Sequence, residues 1–272
     1  MLLAEVEYAR PGTVDEAVAL LAAHDGARAL AGGQTLVNVM KQRAAAPDVL
    51  VDLNELEELR AIRIAGDRLE LGAMATYSSV MSSSEVDVSR PIVGEVAATI
   101  ADVQVRNRGT IGGNVCSNDP TNHLPPLFVA LDAIFTIQGK RGVRWVSAED
   151  FFLGVYLTAV GEGELLTAVS VTAAGHAKDG FAAVTIGADG TCIANAAASL
   201  EGDAPRIALG CVDAVPVLLQ PESADEEAVR AAVGDAGLEP PSDVHASADY
   251  RRHLAEICAV RAVRQAEGRG AS

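Results

Sequence analysis

Two short segments built around paired glycines constrain this chain more than any other feature. They are residues 31–36, with the sequence AGGQTL, and residues 110–114, with the sequence TIGGN. Each pattern predicts a strand that runs into a tight turn. Because glycine has no Cβ, backbone N–H groups in such turns can approach an anion closely and bind phosphate without lysine. Two turns in one domain would hold a pyrophosphate and the sugars beside it, which indicates a bound dinucleotide.

Neither segment matches the common nucleotide-binding motifs. Both lack the fingerprint Gly-x-Gly-x-x-Gly, and neither has the Lys-Ser or Lys-Thr that follows the last glycine of a P-loop. A Rossmann interpretation is therefore weak.

The composition predicts a globular protein of the cytoplasm. The chain has 272 residues, 49% of them hydrophobic, which is enough for a sizeable core and for one or two domains. Its 37 acidic residues against 21 basic ones give a net charge of −16, which disfavours nucleic acid and anionic membranes as partners. Acidic residues follow Met1 closely, unlike in a signal peptide, and no run reaches the ~18 apolar residues of a membrane helix.

The cysteines do not predict a metal site. Cys116, Cys192, Cys211 and Cys258 are scattered and form no C-x-x-C pair, so neither an iron–sulfur cluster nor structural zinc is indicated. Three of them are interpreted as small buried hydrophobes. Cys116 lies beside the second glycine segment, where it either packs under a ligand or is reactive if the turn lowers its pKa; packing is favoured.

The order of predicted elements indicates an α+β fold, because strands and helices alternate without the regular period of βαβ units. Thr13 begins a capping-box pattern, and residues 60–64 and 68–71 form a hairpin signal. A change in composition near residue 172 divides the chain into residues 1–172, with subdomains at about 1–56 and 57–172, and residues 173–272. A final helix from Asp249 is expected to leave Arg251 and Arg252 partly exposed.

Seven sequence blocks, in order along nearly the whole chain, carry a specific resemblance. They are residues 31–36, 71–76, 105–114, 119–120, 124–126, 206–210 and 246–252. In these blocks the chain resembles the FAD-binding medium subunit of the molybdenum hydroxylases, the family that contains xanthine dehydrogenase and aerobic carbon monoxide dehydrogenase. The resemblance implies a two-subdomain FAD-binding domain of the vanillyl-alcohol-oxidase (PCMH) type, followed by a smaller α+β C-terminal domain.

The resemblance also implies which residues bind the cofactor. In this family the two glycine segments hold the FAD pyrophosphate and neighbouring ribityl and ribose groups. Ile100 corresponds to a position beside the flavin ring, and Leu166 lies in a segment that reaches the flavin, although a plain core role for Leu166 is equally open. The implied contacts in the glycine segments are Ala31, Gly32, Gly33, Gln34, Thr35, Leu36, Thr110, Ile111, Gly112, Gly113 and Asn114.

Two departures from the family pattern bear on the site. His123 stands where relatives commonly have an aspartate, and a neutral imidazole accepts only one hydrogen bond. A cofactor contact and an ordinary loop histidine are both open for His123. Residues 183–187 lack the lysine or arginine that is common in relatives, which leaves a basic contact to the flavin in doubt.

The resemblance implies an electron-transfer role and names no catalytic residue. FAD on this chain would take electrons from a partner and reduce an external acceptor. Molybdopterin and two 2Fe-2S clusters are expected only on a large and a small partner subunit, assembled as a dimer of heterotrimers. Two alternatives are a free-standing FAD oxidase and a scaffold subunit without flavin, the latter motivated by His123 and Val184.

Overall fold

The computed structural model describes residues 3–175, 177–187, 190–202 and 204–269, and it begins with a small parallel sheet. Its elements are β1 (Glu7–Ala9), α1 (Val14–Leu21), β2 (Ala27–Leu30), α2 (Leu36–Lys41) and β3 (Val49–Asp52). The strand order is β1-β3-β2 with both pairs parallel. The predicted cap is confirmed, because Oγ1 of Thr13 accepts a hydrogen bond from the backbone N–H of Glu16.

A larger antiparallel sheet follows. In chain order this region contains a 3₁₀ turn (Glu57–Arg60), β4 (Ile62–Ala65), β5 (Arg68–Gly72), α3 (Tyr77–Met81), α4 (Ser84–Ser89), α5 (Pro91–Ala98), α6 (Val103–Arg108), α7 (Ile111–Ser117), α8 (Leu124–Ala130), β6 (Ile134–Gly139), β7 (Gly142–Ser147), α9 (Ala148–Phe151), β8 (Phe152–Gly154), β9 (Leu157–Thr158) and β10 (Leu165–Thr172). Five strands pair in the order β4-β5-β10-β6-β7, while β8 and β9 form a separate hairpin. The predicted hairpin is confirmed as β4 and β5.

The largest core lies against this sheet. Its centre is aromatic, with the ring of Phe135 stacked on that of Phe151 at a centroid distance of 3.9 Å. Helix α8 is buried along its whole length. Pro125 and Pro126 lie inside the first turn of α8, where proline is tolerated because it lacks only an N–H that has no intrahelical acceptor there.

A second antiparallel sheet and two helices complete the described chain. They are β11 (Asp179–Ile186), β12 (Thr191–Ser199), β13 (Arg206–Gly210), β14 (Val217–Leu219), α10 (Glu226–Asp235) and α11 (Ala248–Arg269), with strand order β11-β12-β13-β14. Helix α11 packs on β11 and β12. Helix α11 and strand β11 approach each other closely, since a Cβ added to Gly180 would lie 1.9 Å from the carbonyl oxygen of Ala262.

The prediction for Arg251 is wrong. Its side chain is only 4% exposed. It donates to the carboxylate of Asp243 at 2.6 Å and to the carbonyl of Ile193 at 2.8 Å. Asp243, which precedes α11, is thus the counterion of Arg251, and no local sequence pattern indicates this pair. Arg252 is exposed, as predicted.

A buried ion pair joins the two antiparallel sheets. Arg90, which precedes α5, donates from Nη2 to Oδ1 of Asp179 on β11 at 2.7 Å, and from Nη1 to the carbonyl of Thr172 at 3.1 Å. No helix within the described ranges is long and apolar enough to cross a membrane.

Candidate cofactor-binding site

The first glycine segment connects β2 to α2 and requires glycine twice. Gly33 has a φ of +73°, in the left-handed region that side chains disfavour. Gly32 lies against the backbone that ends α6, where an added Cβ would stand 2.0 Å from the carbonyl oxygen of Arg108. One glycine therefore permits the turn, and the other permits the close packing of two chain segments.

Within the described ranges, the backbone N–H groups of this turn are free, whereas its glycine carbonyl groups accept hydrogen bonds within the protein. The carbonyl of Gly32 accepts from the Gln34 side chain at 3.2 Å, and the carbonyl of Gly33 accepts from the N–H of Val37 at 3.2 Å. In the described part of the chain, no acceptor takes a hydrogen bond from the backbone N–H groups of Gly32, Gly33, Gln34 or Thr35. Such a set of free donors suits an anion, as the sequence predicted.

An open cleft of about 340 Å³ lies beside the turn. One face of α2 contributes residues at helical spacing. The lining consists of Leu30, Ala31, Gly32, Gly33, Gln34, Val37, Asn38, Lys41 and Arg108. The volume is within the range of small-molecule sites, which extends from about 300 to 1,000 Å³.

The second glycine segment differs from its prediction, because it forms the first turn of α7 and not a turn after a strand. Its donors are used within the protein. The N–H groups of Ile111 and Gly112 donate to the carbonyls of Ala75 and Ala73 at 2.9 and 2.8 Å, and that of Gly113 donates to Oγ1 of Thr110 at 3.0 Å. The N–H groups of residues 111–113 therefore already have protein acceptors, and their contact with a phosphate stays a prediction.

The two glycine segments nevertheless adjoin. A Cβ added to Gly113 would lie 3.8 Å from Cβ of Ala31. Gly32 lies against the backbone carbonyl of Arg108, two residues before Thr110. Gly112 is needed for packing, since an added Cβ would lie 2.7 Å from the carbonyl oxygen of Ala73. The structure therefore brings the two segments together, and most of the free donors lie in the first.

Asn114 carries a buried oxygen that lacks a partner. Its Nδ2 donates to Oη of Tyr77 at 2.9 Å, whereas Oδ1 has no hydrogen-bond partner among the described residues. Burial raises the pKa of Tyr77 to about 12, partly offset by the bond from Asn114, so the phenol stays protonated at neutral pH. A buried unsatisfied acceptor costs about 1–3 kcal/mol, and a ligand hydroxyl would satisfy it.

A chain of contacts leads from Asn114 to the other predicted positions. Nδ2 of Asn122 donates to the carbonyl of Asn114 at 3.1 Å. The next residue, His123, is buried, with Nδ1 3.1 Å from Oγ1 of Thr99 and its ring 5.3 Å from that of Phe181. Thr99 precedes the half-buried Ile100. Contacts through Asn122 and His123 therefore link Asn114 to Thr99, the residue before Ile100.

Of the fourteen predicted contacts, Ala31, Gly32, Gly33 and Gln34 line the cleft, and the other ten lie outside its lining. Thr35 is exposed, Leu36 is half-buried at the start of α2, and Ile111 and Leu166 belong to the main core at 0% and 2% exposure. Their contacts with a cofactor stay predictions. Burial raises the pKa of the Cys116 thiol, in α7, to about 12. This agrees with a packing role and not with a reactive thiol.

Seven residues of the site were not predicted from the sequence. Five of them line the cleft: Leu30, Val37, Asn38, Lys41 and Arg108. Lys41 lies four residues after Val37, a spacing that places both on one face of α2. That spacing was a usable signal. Tyr77 and Asn122 orient Asn114 from separate segments, and no local pattern indicates either contact.

Free backbone donors, a cleft with two cations and an unpaired amide oxygen define a site for a phosphorylated cofactor that also carries hydroxyl groups. FAD fits this description, because its diphosphate suits the donors and its ribityl and ribose hydroxyls suit Oδ1 of Asn114.

Comparison with known proteins gives the family. A family model described as the FAD binding domain in molybdopterin dehydrogenase matches residues 4–173. The carbon monoxide dehydrogenase medium chain of Hydrogenophaga pseudoflava is 36% identical, with 99% of each chain covered. The glyceraldehyde dehydrogenase medium chain of Sulfolobus acidocaldarius is 30% identical, covering 96% of this chain and 98% of the relative.

A solved structure agrees. Reconstituted CO dehydrogenase from Oligotropha carboxidovorans superposes with a TM-score of 0.93 at 34% identity, over 99% of this chain and 100% of that one. The chain therefore belongs to the FAD-binding medium subunits of the molybdenum hydroxylase family. The predicted family, α+β fold class and FAD cofactor are confirmed.

Proposed function

We propose that this chain takes electrons from iron–sulfur clusters of a partner subunit and passes them to an external acceptor, within a molybdopterin-dependent hydroxylase or dehydrogenase. The observation that carries the proposal is the cleft of about 340 Å³ beside the free backbone donors of residues 32–35, within the segment that matches the FAD-binding domain. When bound, FAD supplies the redox chemistry, since flavins accept electrons singly and release them in pairs.

The protein residues bind and orient, and none acts as an acid or base. The donors of residues 32–35 hold the diphosphate, and Oδ1 of Asn114 accepts from a hydroxyl group. Ile100 would pack beside the flavin ring, and Nδ1 of His123 lies 3.1 Å from Oγ1 of Thr99, the residue before Ile100. The remaining contacts that we propose are Ala31, Leu36, Thr110, Ile111, Gly112, Gly113 and Leu166.

The partners follow from the relatives. Curated relatives are named medium chains of carbon monoxide and glyceraldehyde dehydrogenases, which implies larger and smaller chains beside them. A structural neighbour, carbon monoxide dehydrogenase from Hydrogenophaga pseudoflava, is described as lacking the Mo-pyranopterin moiety of its molybdenum cofactor. We propose that the partners of this chain are a molybdopterin-binding large subunit and an iron–sulfur small subunit. The three subunits would assemble as a dimer of heterotrimers.

We also retain two proposals from the sequence. The domain division near residue 172, with subdomains at about 1–56 and 57–172, is supported by the end of β10 at Thr172 and the start of the next sheet at Asp179. Action in the cytoplasm is supported by the four free cysteines, because thiols persist in reducing compartments.

Reconstitution tests the electron relay. The isolated FAD-loaded chain should be reduced by dithionite but not by the organic substrate of its complex. Addition of the molybdopterin and iron–sulfur subunits should make the flavin reducible by that substrate, as followed by anaerobic absorbance near the flavin bands. Direct, stoichiometric reduction of the isolated chain by the substrate would contradict the proposal and favour a free-standing oxidase.

A further inference from the structure

The cleft beside the first glycine turn carries a local charge opposite to that of the whole chain. Lys41 and Arg108 line it, and no carboxylate does. The full sequence has 37 acidic and 21 basic residues, so a lining whose charged residues are both cationic departs from the overall composition. A cleft of this sign attracts anions.

Neither cation is neutralised by a protein partner in the described ranges. Arg106, which is close in sequence, donates to the carbonyls of Ile100 and Ala101 at 3.0 and 2.6 Å. Arg108 and Lys41 make no ion pair or hydrogen bond among the described residues, and both are exposed. Their charges are thus free to act on a ligand.

Their positions bracket the free donors. The carbonyl of Arg108 lies against Gly32, which puts this residue at the turn itself. Lys41 follows Val37 by four residues on the same face of α2, about 6 Å along the helix axis, and both line the cleft. Helical side chains lean toward the helix N-terminus, which here is the glycine turn.

We propose that Lys41 and Arg108 bind the diphosphate of the cofactor and select a phosphorylated flavin over uncharged riboflavin. This inference rests on the proposed FAD site. The backbone donors of the turn provide shape, while the two cations provide a charge interaction that dissolved salt screens. Removal of either charge should therefore weaken FAD binding and flatten its dependence on salt.

Titration of the full-length apoprotein with FAD and with riboflavin, followed by flavin fluorescence at several salt concentrations, tests the proposal. Lys41→Gln and Arg108→Gln should each raise the Kd for FAD about tenfold at low salt, with less effect at high salt. The Kd for riboflavin should stay unchanged. Lys140→Gln removes an exposed charge outside the cleft and should match the wild type.

Charge-retaining variants separate charge from shape. Lys41→Arg and Arg108→Lys should recover most of the FAD affinity. FAD binding by both glutamine variants with wild-type Kd and salt dependence would overturn the inference, as would an equal loss in the charge-retaining variants. A wild-type apoprotein that is folded yet binds no FAD would instead overturn the proposed function.

Discussion

The α-carbon of Gly32 packs against the carbonyl oxygen of Arg108 so closely that a methyl group added to Gly32 would stand 2.0 Å from that oxygen. This contact joins the turn that offers free donors to the helix that precedes the second glycine segment. It makes the geometry of the turn depend on a residue 76 positions away in sequence.

Gly32→Ala should therefore displace the turn and raise the Kd for FAD at least about tenfold, equivalent to about 1.4 kcal/mol. Fluorescence titration of the apoprotein measures this change. Gly234→Ala is the matched control, because an added Cβ in α10 meets nothing within 4 Å. Wild-type affinity in Gly32→Ala would show that the turn does not hold the diphosphate.

Asn114→Leu should separate cofactor affinity from stability. The substitution removes the buried Oδ1, which lacks a partner among the described residues, together with the Nδ2 donor to Oη of Tyr77, so the apoprotein should lose at most about 1–3 kcal/mol with that hydrogen bond. FAD affinity should fall about tenfold, because the cofactor hydroxyl loses its acceptor. Thermal unfolding of apoprotein beside FAD titration checks both parts. An unchanged Kd would remove Asn114 from the site.

Alkaline unfolding should report the burial of Tyr77. Its pKa is about 12 in the folded chain against 10.0 when exposed, so the unfolded chain loses this proton first. The contribution of Tyr77 to the free energy of unfolding is constant below pH 10. It falls as the pH rises toward 12, by about 1 kcal/mol at pH 11. Urea unfolding at pH 9 and pH 11 should show this loss in the wild type and not in Tyr77→Phe. Equal losses in the two proteins would contradict the assignment.

The neighbouring arginines of α11 should differ sharply in their effect on stability. Arg251→Met leaves the carbonyl of Ile193 and the carboxylate of Asp243 without their donor, at a cost of about 2–4 kcal/mol. Arg252→Met, which changes an exposed side chain with a surface partner, should cost less than about 1 kcal/mol. Equal melting temperatures for the two variants would contradict the buried role of Arg251.

Sequence patterns predicted those features of the fold that depend on residues close together in the chain. The cap at Thr13, the hairpin of β4 and β5 and the first glycine turn each depend on neighbours in sequence, and each was predicted. The sequence could not show that the N–H groups of Ile111 and Gly112 are taken by Ala75 and Ala73, because that contact is with a distant segment.

The same limit explains the other errors. Arg251 is buried because Asp243 and Ile193 fold onto it. Strand β11 was not predicted, since its alanine- and glycine-containing sequence has little alternation of polar and apolar residues and is placed by pairing with β12. The family resemblance supplied the identity of the cofactor, and the structure supplied the orphaned oxygen of Asn114.

The flavin content of the purified full-length chain tests the central claim most directly. Acid or heat release followed by chromatography identifies the flavin, and absorbance gives its amount per chain. We predict noncovalent FAD at about one per chain, either as purified or after incubation of apoprotein with FAD. A folded chain that takes up no FAD at concentrations that saturate its relatives would contradict the account.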